Sequence, residues 1–414
     1  MKFQAKAADL NAALEIVKIV PPRAITPQGG SGYLFVVRGE TCFVYSRDSL
    51  RVARAYFPVT EVEGEGSFIY PADYIEGFGF LQDEVLTFEV SSVGDVHTVK
   101  YTSGSGAGSE RTSYDPKLMA SCDKDVDAAT NERTFSVAIL REAIGLAKPF
   151  LAKPQDTKAE DQYKAIQVFD DSNEAWSKGD GTLFAANGTQ AFYFYCDAFK
   201  SKGLGLHGQH LPFISGFLAK CEDTVTITTG QNMTFASDGR GRVLGWAHHT
   251  KTHSKYAYYA LKNDKFVFDV PVRALVNALK YTKTELDAKR DKIRLAFTAA
   301  SNELSFSVVE GNAKAKSFPV PVIPKEGSDS RDFTFGVNLY HLIDLLEGAK
   351  GDRLEMRVMI LAADERRPKD QAMIRTIDEF LIDKDGKVIG GSGVETQPEN
   401  TYRCRVTRFM PSKD

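Results

Sequence analysis

The chain has 414 residues, of which 43% are hydrophobic and 26% are charged. This hydrophobic share is normal for a globular protein and excludes a chain that is disordered throughout. With 52 basic and 55 acidic side chains, the formal net charge is −3. Proteins that bind nucleic acid often have a net positive charge, so any such binding here must come from local clusters of basic residues.

The sequence also bears on the cell compartment. No apolar run approaches the roughly 18 residues that a transmembrane helix needs. An amphipathic pattern already begins at Phe3, which leaves no room for a signal peptide. The five cysteines are odd in number and form no close pairs, which argues against a disulfide framework. They are Cys42, Cys122, Cys196, Cys221 and Cys404. We therefore expect a soluble protein of the cytoplasm.

A phenylalanine-led pattern opens the chain and predicts a strand followed by a helix. Phe3 and Ala5 alternate as in a strand with one buried face. Leu10 and Leu14 then continue at the spacing of an amphipathic helix. Three further strands are predicted at 33–37, 41–46 and 51–59.

The same pattern returns five more times, at intervals of 64 to 69 residues. The later copies begin at Phe68, Phe135, Leu204, Phe268 and Phe335. Strand pairs predicted in the fourth and fifth copies are 224–229 with 233–236, and 292–297 with 303–308. In the fifth copy, Asp269 is predicted to cap the helix and Pro271 to lie in its first turn. The repeat indicates one supersecondary unit, β-α-β-β-β, used six times.

Polar segments predict how the copies are grouped. Residues 122–133 and 261–265 are polar without apolar periodicity, as in linkers. One helix cannot cover four strands alone, so we expect the copies to pair. Domains at 1–125, 128–262 and 263–414 follow, each with two copies. A flexible loop is predicted at 103–110, and a charged, Gly-rich insertion at about 362–400, in the form of an extended hairpin.

Two motifs suggest enzyme chemistry, and each has a simpler structural interpretation. Residues 203–208 match the dinucleotide fingerprint, but their glycines fall within a predicted strand rather than between a strand and a helix. His248, His249 and His253 are close together, yet no second ligand pair has zinc-site spacing. The segments that begin at Asn187 and Asn232 match the acceptor pattern for N-glycosylation, Asn-x-Thr, and we interpret both as turns. We expect no catalytic residue, metal or cofactor.

Basic residues recur near the predicted helix ends. Lys18, Lys283 and Lys350 stand fifteen residues after the start of their copies, and Lys148 and Lys220 lie within two positions of that point. Arg141 precedes Lys148 by seven residues, as Arg273 precedes Lys280, so each pair shares one helix face. These cations either stabilise helix C-termini or present a basic face to a phosphate backbone.

The chain resembles the bacterial-type DNA sliding clamps, the beta subunits of DNA polymerase III, as a phage or divergent member. The segments that carry the resemblance are the opening MKFQAKAADLNAALEIV, the sixth copy FGVNLYHLIDLLEGAKGDRLEMRV and the ending RFMP. It implies an α+β fold of three similar domains, each a pair of β-α-β-β-β units. It also implies a ring of two subunits, with helices around a hole for duplex DNA and sheets outside.

The function that the resemblance implies is that of a DNA polymerase processivity factor. Such a ring encircles duplex DNA without sequence specificity and tethers the replicative polymerase and other clamp-binding-motif proteins. A clamp loader is an implied partner, as is a second copy of the chain. The protein is then not an enzyme, contacts no membrane, and is associated with the nucleoid when loaded.

The resemblance also implies site residues. For DNA it adds Arg23, in the loop after the first helix, and Tyr163, an inner-surface aromatic. The partner-peptide groove comprises Lys164, Ala186, Gly188, Ala191, Ser254, Tyr259, Phe409, Met410 and Pro411. Its segment FAANGTQA lacks the usual acidic, basic and leucine positions, which alters the expected affinity for clamp-binding peptides. Met410 packing in a strand, Arg23 as a solvated charge and Tyr163 at a sheet edge are the alternatives.

Two other function classes remain open on the sequence. A scaffold with this fold need not encircle DNA, because fold does not fix function. A nucleotide- or metal-dependent enzyme would use residues 203–208 or the histidine cluster, and stoichiometric nucleotide or zinc in the purified protein would identify it.

Overall fold

The structure is a computed structural model of the chain. It describes residues 1–22, 31–81, 83–94, 96–113, 129–169, 181–187, 190–249, 265–284, 286, 292–308, 317–344, 346, 352–361, 371–382, 388–389 and 399–409. Among these residues, no helix is long and apolar enough to cross a membrane.

The first three copies of the repeat have the predicted order of elements. The first contains β1 Lys2–Lys6, α1 Ala7–Val17, β2 Gly32–Arg38, β3 Thr41–Arg47, β4 Arg51–Pro58 and the additional β5 Thr60–Glu63. The second contains β6 Gly66–Pro71, a 3₁₀ helix Ala72–Phe80, β7 Val85–Val93, β8 Val96–Thr102 and β9 Ala107–Ser113. The third contains β10 Thr130–Ser136, α2 Val137–Ala147, β11 Ala165–Val168, β12 Thr182–Ala186 and β13 Gln190–Cys196.

The last three copies repeat that order. The fourth contains β14 Leu204–His207, α3 Leu211–Leu218, β15 Thr224–Thr229, β16 Met233–Ser237 and β17 Val243–Ala247. The fifth contains β18 Phe266–Pro271, α4 Val272–Thr284, β19 Lys292–Thr298, β20 Glu303–Val308, β21 Phe318–Pro321 and the short β22 Ile323–Pro324. The sixth contains β23 Phe333–Asn338, α5 Leu339–Asp344, β24 Arg353–Leu361, β25 Gln371–Ile382, β26 Val388–Ile389 and β27 Glu399–Phe409. The β-α-β-β-β repeat is confirmed.

The repeated apolar positions form the core. Phe3 and Leu10 of the first copy are 0% exposed, as are Phe268, Leu275 and Leu279 of the fifth. Burial of these side chains from both the strand and the helix fixes the helix on its sheet, because apolar area removed from water is the main stabilising contribution. The repeat is thus a packing motif, as its spacing predicts.

The second copy departs from the α-helical pattern. Its helical segment is a 3₁₀ helix, in which Ile75 and Phe78 are buried and Gly77 and Gly79 are exposed. Two glycines in one turn disfavour an α-helix, and side chains three residues apart share one face of a 3₁₀ helix. The segment therefore buries its apolar residues without forming the longer helix.

The chain forms two compact units. The first comprises Met1–Val137 and His210–His249, and the second comprises Ala138–Gln209 and Thr250–Asp414. The first contains a five-stranded sheet in the order β5-β1-β7-β8-β9 and an eight-stranded sheet in the order β10-β15-β16-β17-β4-β3-β2-β6. The second contains a ten-stranded sheet, β14-β11-β12-β13-β27-β25-β24-β18-β22 with β26 beside β25, and a four-stranded sheet, β21-β20-β19-β23. Every strand pairing among the described residues is antiparallel.

Neighbouring copies exchange their first strands. In the first compact unit β1 pairs with β7, and β6 pairs with β2. In the second compact unit β18 pairs with β24, and β23 pairs with β19. Copies therefore complete one another's sheets in twos, as the grouping predicts. The domain boundaries at 125–128 and 262–263 stay a prediction.

Several local predictions are corrected. Asp269 does not cap α4, because β18 continues to Pro271 through its pairing with β24, and Asp269 instead accepts a hydrogen bond from Arg353 Nε at 2.8 Å. The loop predicted at 103–110 is a tight turn, closed by a bond from the Ser103 N–H to the Gly106 carbonyl, followed by β9. Within the first predicted linker, 130–133 belong to β10 and 122–128 lie outside the described residues.

Two long paired strands lie at and beyond the region predicted as an inserted hairpin, 362–400, and the insertion itself stays a prediction. β25 and β27 pair from Ala372↔Phe409 to Ile382↔Glu399, and β24 accompanies β25 only as far as Ile377. The paired strands thus belong to the repeat itself and are longer than their equivalents. Residues 362–370, 383–387 and 390–398 lie outside the described residues, as do 261–264 of the second predicted linker.

Replacement of Leu10 by alanine is expected to lower the free energy of unfolding by about 2–5 kcal/mol, because it leaves a cavity beneath α1. Leu50→Ala is the matched control, since Leu50 is 40% exposed, and its effect should be about 0.5 kcal/mol or less. Urea denaturation followed by circular dichroism measures both. Equal losses would contradict the assignment of the repeat's leucines to the core.

Candidate nucleic-acid interface

The predicted lysines lie at the C-terminal ends of helices. Lys18 follows α1, and its N–H donates to the Leu14 carbonyl at 2.9 Å. Lys148 follows α2, Lys220 lies two residues after α3, and Lys283 is in the last turn of α4. Of the other predicted DNA contacts, Arg23 and Lys350 lie outside the described residues. These positions suit a stabilising interaction with the helix C-terminus as well as binding of a phosphate backbone.

The two lysines of the first compact unit, Lys18 and Lys220, have carboxylate partners. Lys18 Nζ lies 2.9 Å from Glu76 Oε1, and Lys220 Nζ lies 2.8 Å from Glu15 Oε2. The hydrogen bond from Lys220 lowers the pKa of the Glu15 carboxyl, and the charge of Lys18 acts in the same direction. The Glu15 carboxylate is therefore ionised at neutral pH, and each of the two ion pairs offsets the charge of its lysine.

The carboxylates are more exposed than the lysines that they bind. The Glu76 side chain is 75% exposed and that of Lys18 only 26%, whereas Glu15 is 59% exposed and Lys220 45%. Sequence reasoning missed both glutamates. Glu15 could have been found from the sequence, because it lies on α1 among small exposed residues. Glu76 could not, because it belongs to the next copy of the repeat.

Helix α2 in the second compact unit presents two cations without such partners. Arg141 and Lys148 are exposed, and neither has a carboxylate partner among the described residues. Ile139 and Ala143 are buried on the opposite face. The spacing of seven residues therefore places both cations on the outward side of the helix, as the sequence predicts.

Helix α4 has the same arrangement and a higher charge. Arg273 and Lys280 are exposed and have no ion-pair partner in the described part of the chain. Lys283 lies over the ring of Tyr340, with Nζ 5.3 Å from the ring centroid. The helix VRALVNALKYTKT contains no Asp or Glu. Its exposed face is consequently basic and suited to contacts with phosphates that do not depend on base sequence.

Tyr163 lies in a short 3₁₀ turn, Asp161–Lys164, and not on one of these helices. Its ring is partly buried, and its carbonyl accepts the Ala152 N–H at 2.7 Å. The position is next to β11, the neighbour of the edge strand β14. A DNA contact at Tyr163 stays a prediction.

The predicted groove residues that the structure describes are brought together on adjacent strands. Lys164 immediately precedes β11, Ala186 ends β12, and Ala191 lies in β13. Ala186 is opposite Ala191, which is opposite Val406 of β27. Phe409 is described by its backbone alone, opposite Ala372. Gly188, Ser254, Tyr259, Met410 and Pro411 lie outside the described residues.

These described residues are buried rather than at the surface. Ala186 and Ala191 are 0% exposed, and Lys164 is 8% exposed with its Nζ 3.6 Å from Asp161 Oδ1. The Asn187 side chain accepts the Gln190 N–H at 2.8 Å, which closes the turn between β12 and β13. The interpretation of the Asn187 segment as a turn is confirmed at these two residues, and the peptide groove stays a prediction.

The glycine motif at 203–208 is part of a sheet. β14 pairs antiparallel with β11, and the Gly208 N–H donates to the Lys164 carbonyl at 2.6 Å. A dinucleotide fingerprint needs a parallel strand whose glycine turn leads into a helix N-terminus. The glycines of this segment lie within and directly beside an edge strand, so the arrangement that cradles a pyrophosphate is not formed.

The histidine cluster likewise has structural contacts. His248 Nδ1 lies 2.9 Å from Thr234 Oγ1, and its backbone N–H donates to the Asn232 carbonyl. Burial, assisted by the charge of Arg133, lowers the pKa of His248. His253 lies outside the described residues. Within the described ranges no group of three or more His, Cys, Asp and Glu side chains is placed to hold a metal ion.

No family model and no curated protein matches the chain. Solved structures do match it along the whole length. The DNA polymerase III subunit beta from Pseudomonas aeruginosa and a DNA polymerase sliding clamp from Caulobacter crescentus each have a TM-score of 0.71, 14% identity and 100% coverage of both chains. The DNA polymerase III beta subunit from Thermotoga maritima has a TM-score of 0.67 and 14% identity, over 99% of this chain and 100% of that one. The resemblance to sliding clamps is thus confirmed at the level of the fold, and the chain has the α+β fold of the DNA sliding clamps.

Proposed function

We propose that the chain is the subunit of a sliding clamp, a DNA polymerase processivity factor that encircles duplex DNA and is not itself an enzyme. The observation that carries this proposal is the likeness to sliding clamps over the full length of both chains. Fold alone does not fix function. The exposed cations of α2 and α4, which lack carboxylate partners among the described residues, add a site of the required chemistry.

The sheet topology supports assembly of two chains into a closed ring. The fourth strand of the first copy, β4, pairs with the fourth strand of the fourth copy, β17. The fourth strand of the third copy, β13, pairs with the last strand of the sixth, β27. Partners are thus three copies apart. The fourth strands that remain are β9 of the second copy and β21 of the fifth, and each lies at the edge of its sheet.

Pairing of β9 with β21 of a second chain would extend the same rule to all six copies. A two-fold arrangement forms this joint twice and leaves neither edge open, which is the closure expected of a cyclic homodimer. The subunits then meet head to tail, and the domains at 1–125, 128–262 and 263–414 become the repeating segments of the ring.

Two prolines lie in the strand that would form this joint. β21 reads Phe-Pro-Val-Pro, with Pro319 opposite Ser305 and Pro321 opposite Glu303. Because proline has no N–H, the donors to β20 must come from Phe318 and Val320. Pro319 and Pro321 then face the free edge, which offers carbonyl acceptors but no donors at these positions. We infer a joint with fewer backbone hydrogen bonds than the pairing of β4 with β17.

The mechanism that follows is tethering by topology. Cations on helix faces contact phosphates through screened, sequence-independent interactions, which permit sliding. A polymerase bound to the ring stays at high effective concentration near the primer end. The replicative polymerase, other clamp-binding-motif proteins and a clamp loader are the proposed partners. The groove containing Lys164, Ala186 and Ala191 is their proposed docking site, and the cytoplasm, with the nucleoid, is the proposed location.

The double variant Arg273→Ala, Lys280→Ala is expected to weaken binding of a short duplex. The plot of log affinity against log salt concentration should become shallower, its slope decreasing in magnitude by about 0.9 for each phosphate contact removed. Fluorescence anisotropy with two labelled duplexes of unrelated sequence measures this, and the two affinities should be equal. Lys292→Ala with Arg294→Ala is the control, because these exposed cations lie on β19 rather than on a helix. An equal loss in the control, or a strong preference for one duplex, would contradict the proposed mode of binding.

Replacement of Pro319 and Pro321 by valine is expected to tighten the dimer, because it restores two N–H donors at each joint. A net contribution of roughly 0.5–1.5 kcal/mol per bond predicts that the dissociation constant falls at least about tenfold. Mass photometry over a dilution series gives the constant. Pro324→Val is the control, since Pro324 lies on β22 in the other sheet of the same compact unit. Monomers at every concentration, or tightening by the control alone, would refute the β9–β21 joint.

A further inference from the structure

The six copies of the repeat differ in the charge that their helices present. Neither α1, the 3₁₀ helix nor α3 contains a Lys or Arg, and the lysines that follow α1 and α3 are Lys18 and Lys220. Each of these lysines is bound by a carboxylate, Glu76 and Glu15 respectively. In contrast, Arg141, Lys148, Arg273 and Lys280 in the second compact unit have no such partner among the described residues.

We propose that duplex DNA is held by the helices α2 and α4, and that Glu15 and Glu76 keep the equivalent lysines of the first compact unit out of DNA binding. The proposal rests on the proposed clamp function and specifies which of its repeated helices carry it. Cations at corresponding positions of the repeat, such as Lys18 and Lys283, then have opposite roles.

The physical reason lies in what a phosphate contact exchanges. A lysine without a carboxylate neighbour gains a phosphate partner and releases a counterion from DNA. A lysine that is already paired must give up its carboxylate, which is then left beside the phosphates as an uncompensated like charge. Exposed ion pairs are worth only about 0.2–1 kcal/mol, so the pair itself is not the barrier. The repulsion of the released carboxylate cancels the gain.

The exposures determine which charge the surface presents. Glu76 is 75% exposed, roughly three times as much as Lys18, so approaching DNA meets the carboxylate first. On α1 the exposed side chains are Ala8, Ala12 and Glu15, which offer no cation to compensate. The α1 surface is therefore neutral to acidic, whereas α4 exposes Arg273, Lys280 and Lys283 without any acidic residue of its own.

The test removes the carboxylates and leaves the lysines in place. Glu15→Gln and Glu76→Gln should each raise the affinity for a short duplex and steepen its salt slope by up to about 0.9, because each frees one lysine. Fluorescence anisotropy at graded salt measures the slope. Glu63→Gln, which makes the same change of charge on the exposed face of β5, is the matched control and should leave the slope unchanged.

A second pair of variants identifies the freed charge. Lys18→Ala added to Glu76→Gln, and Lys220→Ala added to Glu15→Gln, should return the slope to that of the unmodified chain. The proposal is overturned if the glutamine variants bind no more tightly than Glu63→Gln, or if the added alanines leave the gain in place. Wild-type chain that fails to bind duplex DNA even at low salt would instead refute the clamp function itself. Thermal unfolding by circular dichroism verifies that every variant is folded.

Discussion

Hydrogen bonding along sheet edges is the constraint on which the rest of the molecule depends. A strand with an open edge must be paired, covered or blunted. Here the first strand of each copy is paired within the sheet of its neighbour, as β1 is with β7, so no copy completes a sheet by itself. The pairing of β4 with β17 and of β13 with β27 then joins copies that are three apart. The proposed ring assembly continues that rule to β9 and β21.

The sequence predicted the content of each copy well and its long-range partners poorly. The spacing of Phe3, Leu10 and their equivalents indicates which face of each element is buried, because burial follows from the local periodicity of apolar residues. Periodicity does not indicate which strands are neighbours in a sheet, so the exchange of first strands could not be predicted. The prediction for Asp269 failed for this reason. Its side chain could cap a helix, but pairing with β24 extends the strand through that position. The 3₁₀ helix that contains Gly77 and Gly79 could have been predicted in part, because two nearby glycines disfavour an α-helix.

The candidate site shows the same division. Arg141, Lys148, Arg273 and Lys280 were identified correctly as exposed helix cations, because a spacing of seven places them opposite an apolar stripe. The difference between Lys18 and Lys283 could not be predicted, since they hold the same place in the repeat and differ only in a carboxylate from another copy. The repeated sequence therefore determines where a cation lies, and tertiary pairing determines whether a carboxylate offsets its charge.

We propose that two such chains close into a ring around duplex DNA. Negative-stain imaging of the purified protein, at concentrations where mass photometry shows dimers, tests it most directly. We expect class averages of closed rings with two subunits and a central hole wide enough for a DNA duplex. Dimers that are compact and lack a hole would contradict encirclement, while leaving the fold and the six-copy repeat unaffected.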